Sequence, residues 1–191
     1  MNKTRLEAFS DGVIAILITI MVLELRVPHG ADWAALSPLL PVFLTYVLSF
    51  VFLGIYWSNH HHMLHAATRV NGAVLWANLH LLFWLSLVPF VTEWMGENHF
   101  DAVPTALYGG VLLCAALAYT ILLRTLLAYE GPHSKLAQAI GNDLKGYLSL
   151  GLYVLAIPMA FFNQRIADVL YVTVALIWLV PDRRIESRVG D

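Results

Sequence analysis

Charged side chains are scarce in this chain, and their scarcity excludes a soluble globular fold. Asp, Glu, Lys and Arg make up 13% of its 191 residues, whereas soluble domains contain about 25%. Hydrophobic residues make up 59%, so water-compatible groups cannot cover the surface of the folded chain. Six Trp and eight Tyr residues fit a membrane protein, because both side chains favour membrane interfaces. We therefore expect an integral membrane protein, and the net charge of −2 gives no reason to expect a nucleic-acid partner.

Several features of enzymes and secreted proteins are also missing. The single cysteine, Cys114, lies in an apolar run, forms no internal disulfide and is interpreted as a small buried hydrophobe. No small-x-small cleavage site follows the first apolar stretch, so we expect that stretch to remain in the mature protein. No spacing resembles a hydrolase motif or a pair of catalytic carboxylates. The sequence predicts neither an enzyme nor a catalytic residue.

Long apolar runs are what the chain has in abundance. A membrane-spanning helix needs about 20 mostly apolar residues, and six stretches qualify, separated by polar or turn-forming segments such as PHGAD and EGPHSK. Pro181 closes the last and shortest of them. We predict an all-α membrane protein with a single domain, 1–191, and six spans at about 8–27, 39–62, 73–95, 105–128, 143–162 and 166–181.

The distribution of Lys and Arg predicts the orientation. Six spans leave both termini on one side, and that side carries nine cationic residues: Lys3, Arg5, Arg69, Arg124, Lys135, Lys145, Arg183, Arg184 and Arg188. The other side has only Arg26 and Arg165. Cytoplasmic loops carry an excess of Lys and Arg, so we expect both termini in the cytoplasm.

An internal repeat is also lacking, since FSDG occurs once. Transporters are commonly built from two repeats around a central site. A chain with one copy favours a pore formed by the rotational assembly of several subunits.

The first span, RLEAFSDGVIAILITIMVLEL (5–25), has a mostly apolar stripe along one side. A helix turns by about 100° per residue. With Ile16 at zero, Thr19 lies at about −60°, Ile20 at about +40°, Leu23 at about −20° and Gly12 at about −40°. These residues would stack as rings if several copies of the helix met on an axis.

Two polar residues of this span each have two interpretations. Asp11 lies at about −140°, away from the stripe, and an ionised carboxylate facing lipid costs several kcal/mol. It is either a polar contact that fixes the helix angle, with Arg5 or Ser10 as partner, or a capping carboxylate at the headgroup level. Thr19 either bonds back to a carbonyl of the preceding turn or forms a hydroxyl layer between apolar rings.

The same residues resemble a known signature. R-x-x-x-F-S-D-G-V-x-A-I-x-x-T is similar to the first-span pattern of the transmembrane protein 175 family, the potassium channels of endosomes and lysosomes and their prokaryotic homologues. YWSNHHHML (56–64) and NLHLLFWLSLVPF (78–90) are similar to its second and third spans. In this chain the first pattern consists of Arg5, Phe9, Ser10, Asp11, Gly12, Val13, Ala15, Ile16 and Thr19. The single copy resembles prokaryotic members, which assemble as tetramers.

The resemblance implies a homotetrameric, potassium-preferring cation channel in a prokaryotic cell membrane, with a pore lined by the first spans. Ile16 would be the narrow constriction, Ile20 and Leu23 further apolar rings, and Thr19 the hydroxyl layer. The permeant ion would be K⁺, with Rb⁺ and Cs⁺, moving passively and without a cofactor. A polar network with spans two and three would include Arg5, Phe9, Ser10 and Asp11.

A carbonyl-lined selectivity filter is absent, because the chain has no TVGYG-like segment. An isoleucine ring can close by dewetting, and an ion passing it sheds part of its hydration shell. K⁺ gives up water more readily than Na⁺, so we expect a modest preference for K⁺.

Four histidines in NHHHMLH (59–65) stand at the predicted cytoplasmic end of the second span. His61 and His65 have the spacing of a metal pair, but zinc needs a third ligand, which the sequence does not nominate. We therefore predict no metal site. One histidine, His60 or His61, is expected to bond to the Ser10 region, and Asn78 in the third span also needs a polar partner.

Two other functions are alternatives. A secondary transporter or proton-coupled carrier would use Asp11 and the histidine cluster, but the missing repeat argues against it. A membrane enzyme would need a catalytic motif that the sequence lacks.

Overall fold

A computed structural model describes residues 2–132, 134–140 and 143–179, and all of their regular structure is helical. A 3₁₀ helix, Trp33–Leu39, precedes the second of eight described α-helices. These are α1 Lys3–Leu23, α2 Leu40–Ala66, α3 Gly72–Ser86, α4 Val88–Glu97, α5 Ala102–Glu130, α6 Lys135–Ile140, α7 Leu144–Phe162 and α8 Gln164–Leu179.

Five stretches are long and apolar enough to cross a membrane, so the chain is an integral membrane protein. They are α1, the 3₁₀ helix with α2, α3 with α4, α5, and α7. The described part of α8 has 16 residues. The end of the predicted sixth span, with Pro181, lies outside the described residues.

The helix that contains the predicted first span, 8–27, begins and ends earlier in the chain than that span. Helix α1 begins at Lys3 because the Asn2 side chain accepts a hydrogen bond of 3.0 Å from the Thr4 amide. It ends at Leu23, with Glu24 as its C-cap. Asp11 therefore lies more than two turns inside α1, and its interpretation as a capping carboxylate is wrong.

The predicted third span, 73–95, is two helices rather than one. Helices α3 and α4 meet at Leu87, whose amide donates to Trp84 over 3.2 Å. Pro89 occupies the first turn of α4, where its missing N–H would have no partner in any case. The proline interrupts the helix within this span, because it has no N–H to donate to the hydrogen-bond ladder of α3.

Packing places α1 at one edge of the subunit. Helix α5 packs against α3 and α7, and α7 packs against α8, whereas α1 contacts α2, α3 and α4. Ile14 of α1 and Leu81 and Leu85 of α3 are fully buried and belong to the common hydrophobic core. The described helices therefore leave one side of α1 without a partner from its own chain.

Candidate functional site

Helix α1 has a buried face and an exposed face. Leu6, Ser10, Ile14, Leu17 and Met21 are buried, at the three- and four-residue spacing of one helical side. The exposed fractions of the residues on the opposite side are 57% for Ile16, 40% for Ile20 and 77% for Leu23. The four residues predicted to line the pore, Ile16, Thr19, Ile20 and Leu23, thus share the exposed face.

Thr19 is the hydroxyl on that face. Its Oγ1 donates to the carbonyl of Ala15 at 3.1 Å or to that of Ile16 at 3.0 Å. The hydroxyl proton is therefore used within the helix, while the lone pairs of the oxygen remain available. The back-bonding interpretation is correct, and it leaves an acceptor for a cation on the exposed face.

A small residue gives this face room for another helix. Gly12 is exposed, and a Cβ added there would meet nothing within 4 Å. Small residues let helices approach closely in membranes.

A buried hydrogen-bond chain joins the other face of α1 to α2 and α3. The Ser10 hydroxyl donates to Leu6 carbonyl at 2.9 Å, and Asn78 Nδ2 donates to Ser10 Oγ at 2.9 Å. His60 Nε2 lies 2.7 Å from Asn78 Oδ1. Since that amide oxygen only accepts, His60 carries its proton on Nε2. Ser10, His60 and Asn78, each no more than 1% exposed, are thereby brought together.

Asp11 pairs with a tryptophan rather than with Arg5. Trp57 Nε1 donates to Asp11 Oδ1 at 3.0 Å, which ties α1 to α2 beside the buried chain. The sequence analysis gave Trp57 no individual role, so this bond was not predicted. A tryptophan three positions before His60 was a usable signal, because i and i+3 share a helix face.

Arg5 and Phe9 are not part of the buried chain. Both are exposed, Phe9 by 52%, and nothing within the described chain pairs with Arg5. Their positions explain this, since Arg5 and Phe9 lie at about −20° and +20° from Ile16 on the helical wheel. They therefore extend the exposed face toward the start of α1.

Lys3 makes a further contact that the sequence analysis did not predict. Its Nζ donates to the carbonyls of Ala67 at 2.8 Å and His65 at 3.2 Å. A cation is favourable at a helix C-terminus, and here it joins the start of α1 to the end of α2. His61, by contrast, stacks on Trp57 and His65 with ring centroids 6.0 Å apart in both cases, so it extends a row of rings along α2.

Comparisons with known proteins identify the family of this chain. A family model described as the endosomal/lysosomal potassium channel TMEM175 matches residues 5–89, which include most of α1 and all of α2 and α3. A potassium channel of a Chryseobacterium species is 58% identical over 191 residues, covering 100% of both chains. This chain belongs to the TMEM175 family. It is therefore a channel protein and not an enzyme.

Two further relatives are a bacterial channel of known structure and a human protein. The crystal structure of a lysosomal potassium-selective channel TMEM175 homolog from Chamaesiphon minutus matches with a TM-score of 0.82 and 27% identity. The match covers 93% of this chain and 96% of that one. The human protein named endosomal/lysosomal proton channel TMEM175 is 41% identical over 87 residues, covering 38% of this chain and 17% of the human one.

Proposed function

We propose that this TMEM175-family chain forms a homotetrameric cation channel that prefers K⁺ and also conducts Rb⁺ and Cs⁺. Each subunit is one domain with six spans, α8 being the last, and both termini are in the cytoplasm of a prokaryotic cell. Ions move passively, without a cofactor or a bound metal. The observation that carries the proposal is the exposed, unpartnered face of α1 with Ile16, Thr19, Ile20 and Leu23 in register.

The constriction follows from the chemistry of that face. Four copies of Ile16 around an axis form a ring with no polar group, which excludes water when it narrows. Ile20 adds an apolar ring one turn further on and Leu23 another after about two turns, and the free lone pairs of Thr19 offset part of the lost hydration. Because the ring replaces only part of the hydration shell, the preference for K⁺ over Na⁺ is modest.

The buried chain and the Asp11–Trp57 bond hold α1 in this orientation. Asn78 and His60 fix the rotation of α1 about its axis through Ser10. A rotation of about 100°, one residue, would remove Ser10 from Asn78 and turn Ile16 away from the pore. The polar residues thus position the constriction without touching the ion.

Ion flux from vesicles tests the proposal. Purified protein is reconstituted, and K⁺, Rb⁺, Cs⁺ and Na⁺ fluxes are measured for the wild type and Ile16→Asn. An amide in the ring holds water, so basal K⁺ flux should rise several-fold. The control is Val154→Asn on α7, because Val154 is 59% exposed and Ile16 57%. Equal effects of the two substitutions, or no flux in the wild type, would contradict the proposal.

The same assay tests the hydroxyl layer. Thr19→Val keeps the side-chain shape and should lower the ratio of K⁺ to Na⁺ flux. Thr173→Val on α8 is the control, since Thr173 also bonds back within its helix, to Val169 carbonyl at 2.7 Å.

Proton conduction is a second candidate function, because the human relative is named a proton channel. A pH-sensitive dye inside the same vesicles measures it. Proton flux without a K⁺ gradient supports this candidate. A fixed ratio of transported protons to K⁺ would instead support a proton-coupled carrier that uses Asp11 and the histidines.

A further inference from the structure

A second buried hydrogen-bond chain, the Thr92 chain, lies between α2, α4 and α5. It consists of Thr92, Ser49 and Tyr108, which are 4%, 0% and 0% exposed. Thr92 Oγ1 donates to the Val88 carbonyl at 2.6 Å. Ser49 Oγ lies 2.6 Å from Thr92 Oγ1, and the Tyr108 hydroxyl lies 3.0 Å from Ser49 Oγ. Because each hydroxyl has one proton, Ser49 donates to Thr92 and Tyr108 donates to Ser49, so the chain holds α4 to α2 and α5.

Close backbone packing attaches α4 to α2 one turn later. Gly96 is buried, and a Cβ added there would lie 2.7 Å from Val42 Cα and 2.6 Å from Thr45 Oγ1. Both atoms belong to α2, and neither distance leaves room for a methyl group. Thr92 and Gly96 are four residues apart and share one face of α4. A hydrogen bond and a close approach therefore fix the same face of α4 to α2.

Two contacts show how α1 lies beside α3 and α4. Asn78 of α3 donates to Ser10 in the first half of α1 at 2.9 Å. Arg26, just beyond α1, pairs with Glu97, the last residue of α4, at 2.6 Å. That ion pair is exposed and contributes little stability, but it shows that the ends of α1 and α4 are neighbours. The second half of α1, residues 14–23, therefore lies beside α4, which packs against α1.

The two halves of α1 are thus supported by different helices. The first half is bonded to α3, whereas the second half packs on α4. Helices α3 and α4 do not continue into one another, because Pro89 interrupts the hydrogen-bond ladder between them. A displacement of α4 can therefore move the second half of α1 while the bond between Ser10 and Asn78 stays in place.

We propose that Thr92 and Ser49 are positioning residues for the second half of α1, which carries Ile20 and Leu23. They act through α4 and touch no ion. Asn78 positions the first half of α1 separately, so the helix has two independent supports. The effect of Thr92 and Ser49 on ions rests on the proposed function, whereas their effect on α1 does not.

Hydrogen exchange of the full-length protein in detergent, measured by mass spectrometry, tests the two supports. Thr92→Val keeps the side-chain shape but leaves the Ser49 hydroxyl without its acceptor, so exchange at residues 18–23 should rise several-fold. Exchange at residues 5–10 should stay at the wild-type rate. Asn78→Leu should give the opposite pattern. If both ends of α1 respond equally to each substitution, α1 has one support and the proposal is wrong.

Three further variants separate positioning from a general loss of stability. Thr92→Ser keeps the hydroxyl and should restore wild-type exchange. Gly96→Ala moves α4 without removing a polar group and should speed exchange at residues 18–23 alone. The control is Ser149→Ala on α7: Ser149 is 3% exposed and accepts from Trp178 Nε1 at 2.8 Å, so its loss should destabilise the fold without affecting α1. Faster exchange at residues 18–23 in this control, or no rescue by Thr92→Ser, would overturn the proposal.

Ion flux from vesicles measures the consequence for the pore. Loosely held Ile20 and Leu23 rings exclude water less well, so basal K⁺ flux should rise several-fold in Thr92→Val and return to the wild-type level in Thr92→Ser. Ser149→Ala should conduct like the wild type. Unchanged flux in Thr92→Val beside a conducting wild type would overturn the positioning of the rings. No flux in the wild type would instead contradict the proposed function, and the exchange pattern would still decide whether Thr92 positions α1.

Discussion

At the residue scale, Asn78 is the centre of the buried polar chain. Its amide accepts from His60 and donates to Ser10, so one side chain links α1, α2 and α3. Each hydrogen bond of the chain has a donor and an acceptor. Buried hydrogen-bond networks rigidify the helices that they join.

Asn78→Leu should lower the free energy of unfolding by about 1–3 kcal/mol. The substitution keeps the volume but leaves the buried His60 N–H without an acceptor, which costs about that amount. Unfolding in a detergent titration measures the change. The control is Ser86→Ala, also on α3, whose exposed hydroxyl bonds only to Phe83 carbonyl at 2.7 Å. Equal losses for both variants would show that the chain contributes nothing specific.

The sequence predicts only part of this site. The sequence predicts that Asp11, Asn78 and a histidine need polar partners, because burying an unpaired polar group costs free energy. The choice between His60 and His61 does not, because the two differ by about 100° on α2, and the rotation of α2 is set by its neighbours. Trp57 was missed for the same reason, since its ring suits packing as well as donation.

At the element scale, α1 is apolar on nearly every side, so periodicity alone does not identify its buried face. The wheel groups Ile16, Thr19, Ile20 and Leu23 correctly, but an apolar stripe is equally suited to a protein core, to lipid and to a pore. The polar contacts of Ser10 and Asp11 identify the buried face of α1, because they require protein partners on that side of the helix. Element boundaries were harder to predict: the Asn2 cap and the Pro89 break depend on single local contacts.

A double-mutant cycle measures how firmly α2 holds α1. Asp11→Ala and Trp57→Phe each remove the bond of 3.0 Å between the two helices, so their effects on unfolding should couple by about 0.5–1.5 kcal/mol, within the range for contacting residues. Asp11→Ala with Trp76→Phe is the matched cycle, as Trp76 is 75% exposed on α3. The coupling free energy in this matched cycle should be near zero. If the effects on unfolding were additive in both cycles, Trp57 would have no role in orienting α1.

At the scale of the whole molecule, the two sides of α1 differ within the part of the chain that the structure describes. Ile14 is fully buried on the inner side, whereas Ile16 and Leu23 are exposed on the outer side. Since α1 lies at the edge of the helices that the structure describes, an ion path lined by it requires further copies of the chain. The fold thus makes the proposed function depend on assembly, as the single copy of the FSDG motif already suggested.

Chemical cross-linking tests that dependence. With Cys114→Ala as background, Leu23→Cys places one thiol per subunit on the outer face of α1, where copies around an axis bring thiols together. A short bismaleimide should then join pairs of subunits, and the intact assembly should have the mass of four 21.3 kDa chains. Val154→Cys, 59% exposed on α7, should stay unlinked, because we expect α7 to face lipid. Linking at both positions, or at neither, would place α1 away from the axis. Linking at Leu23 alone would mean that the exposed stripe of α1 is covered by its own copies, the arrangement in which Ile16 can close a pore.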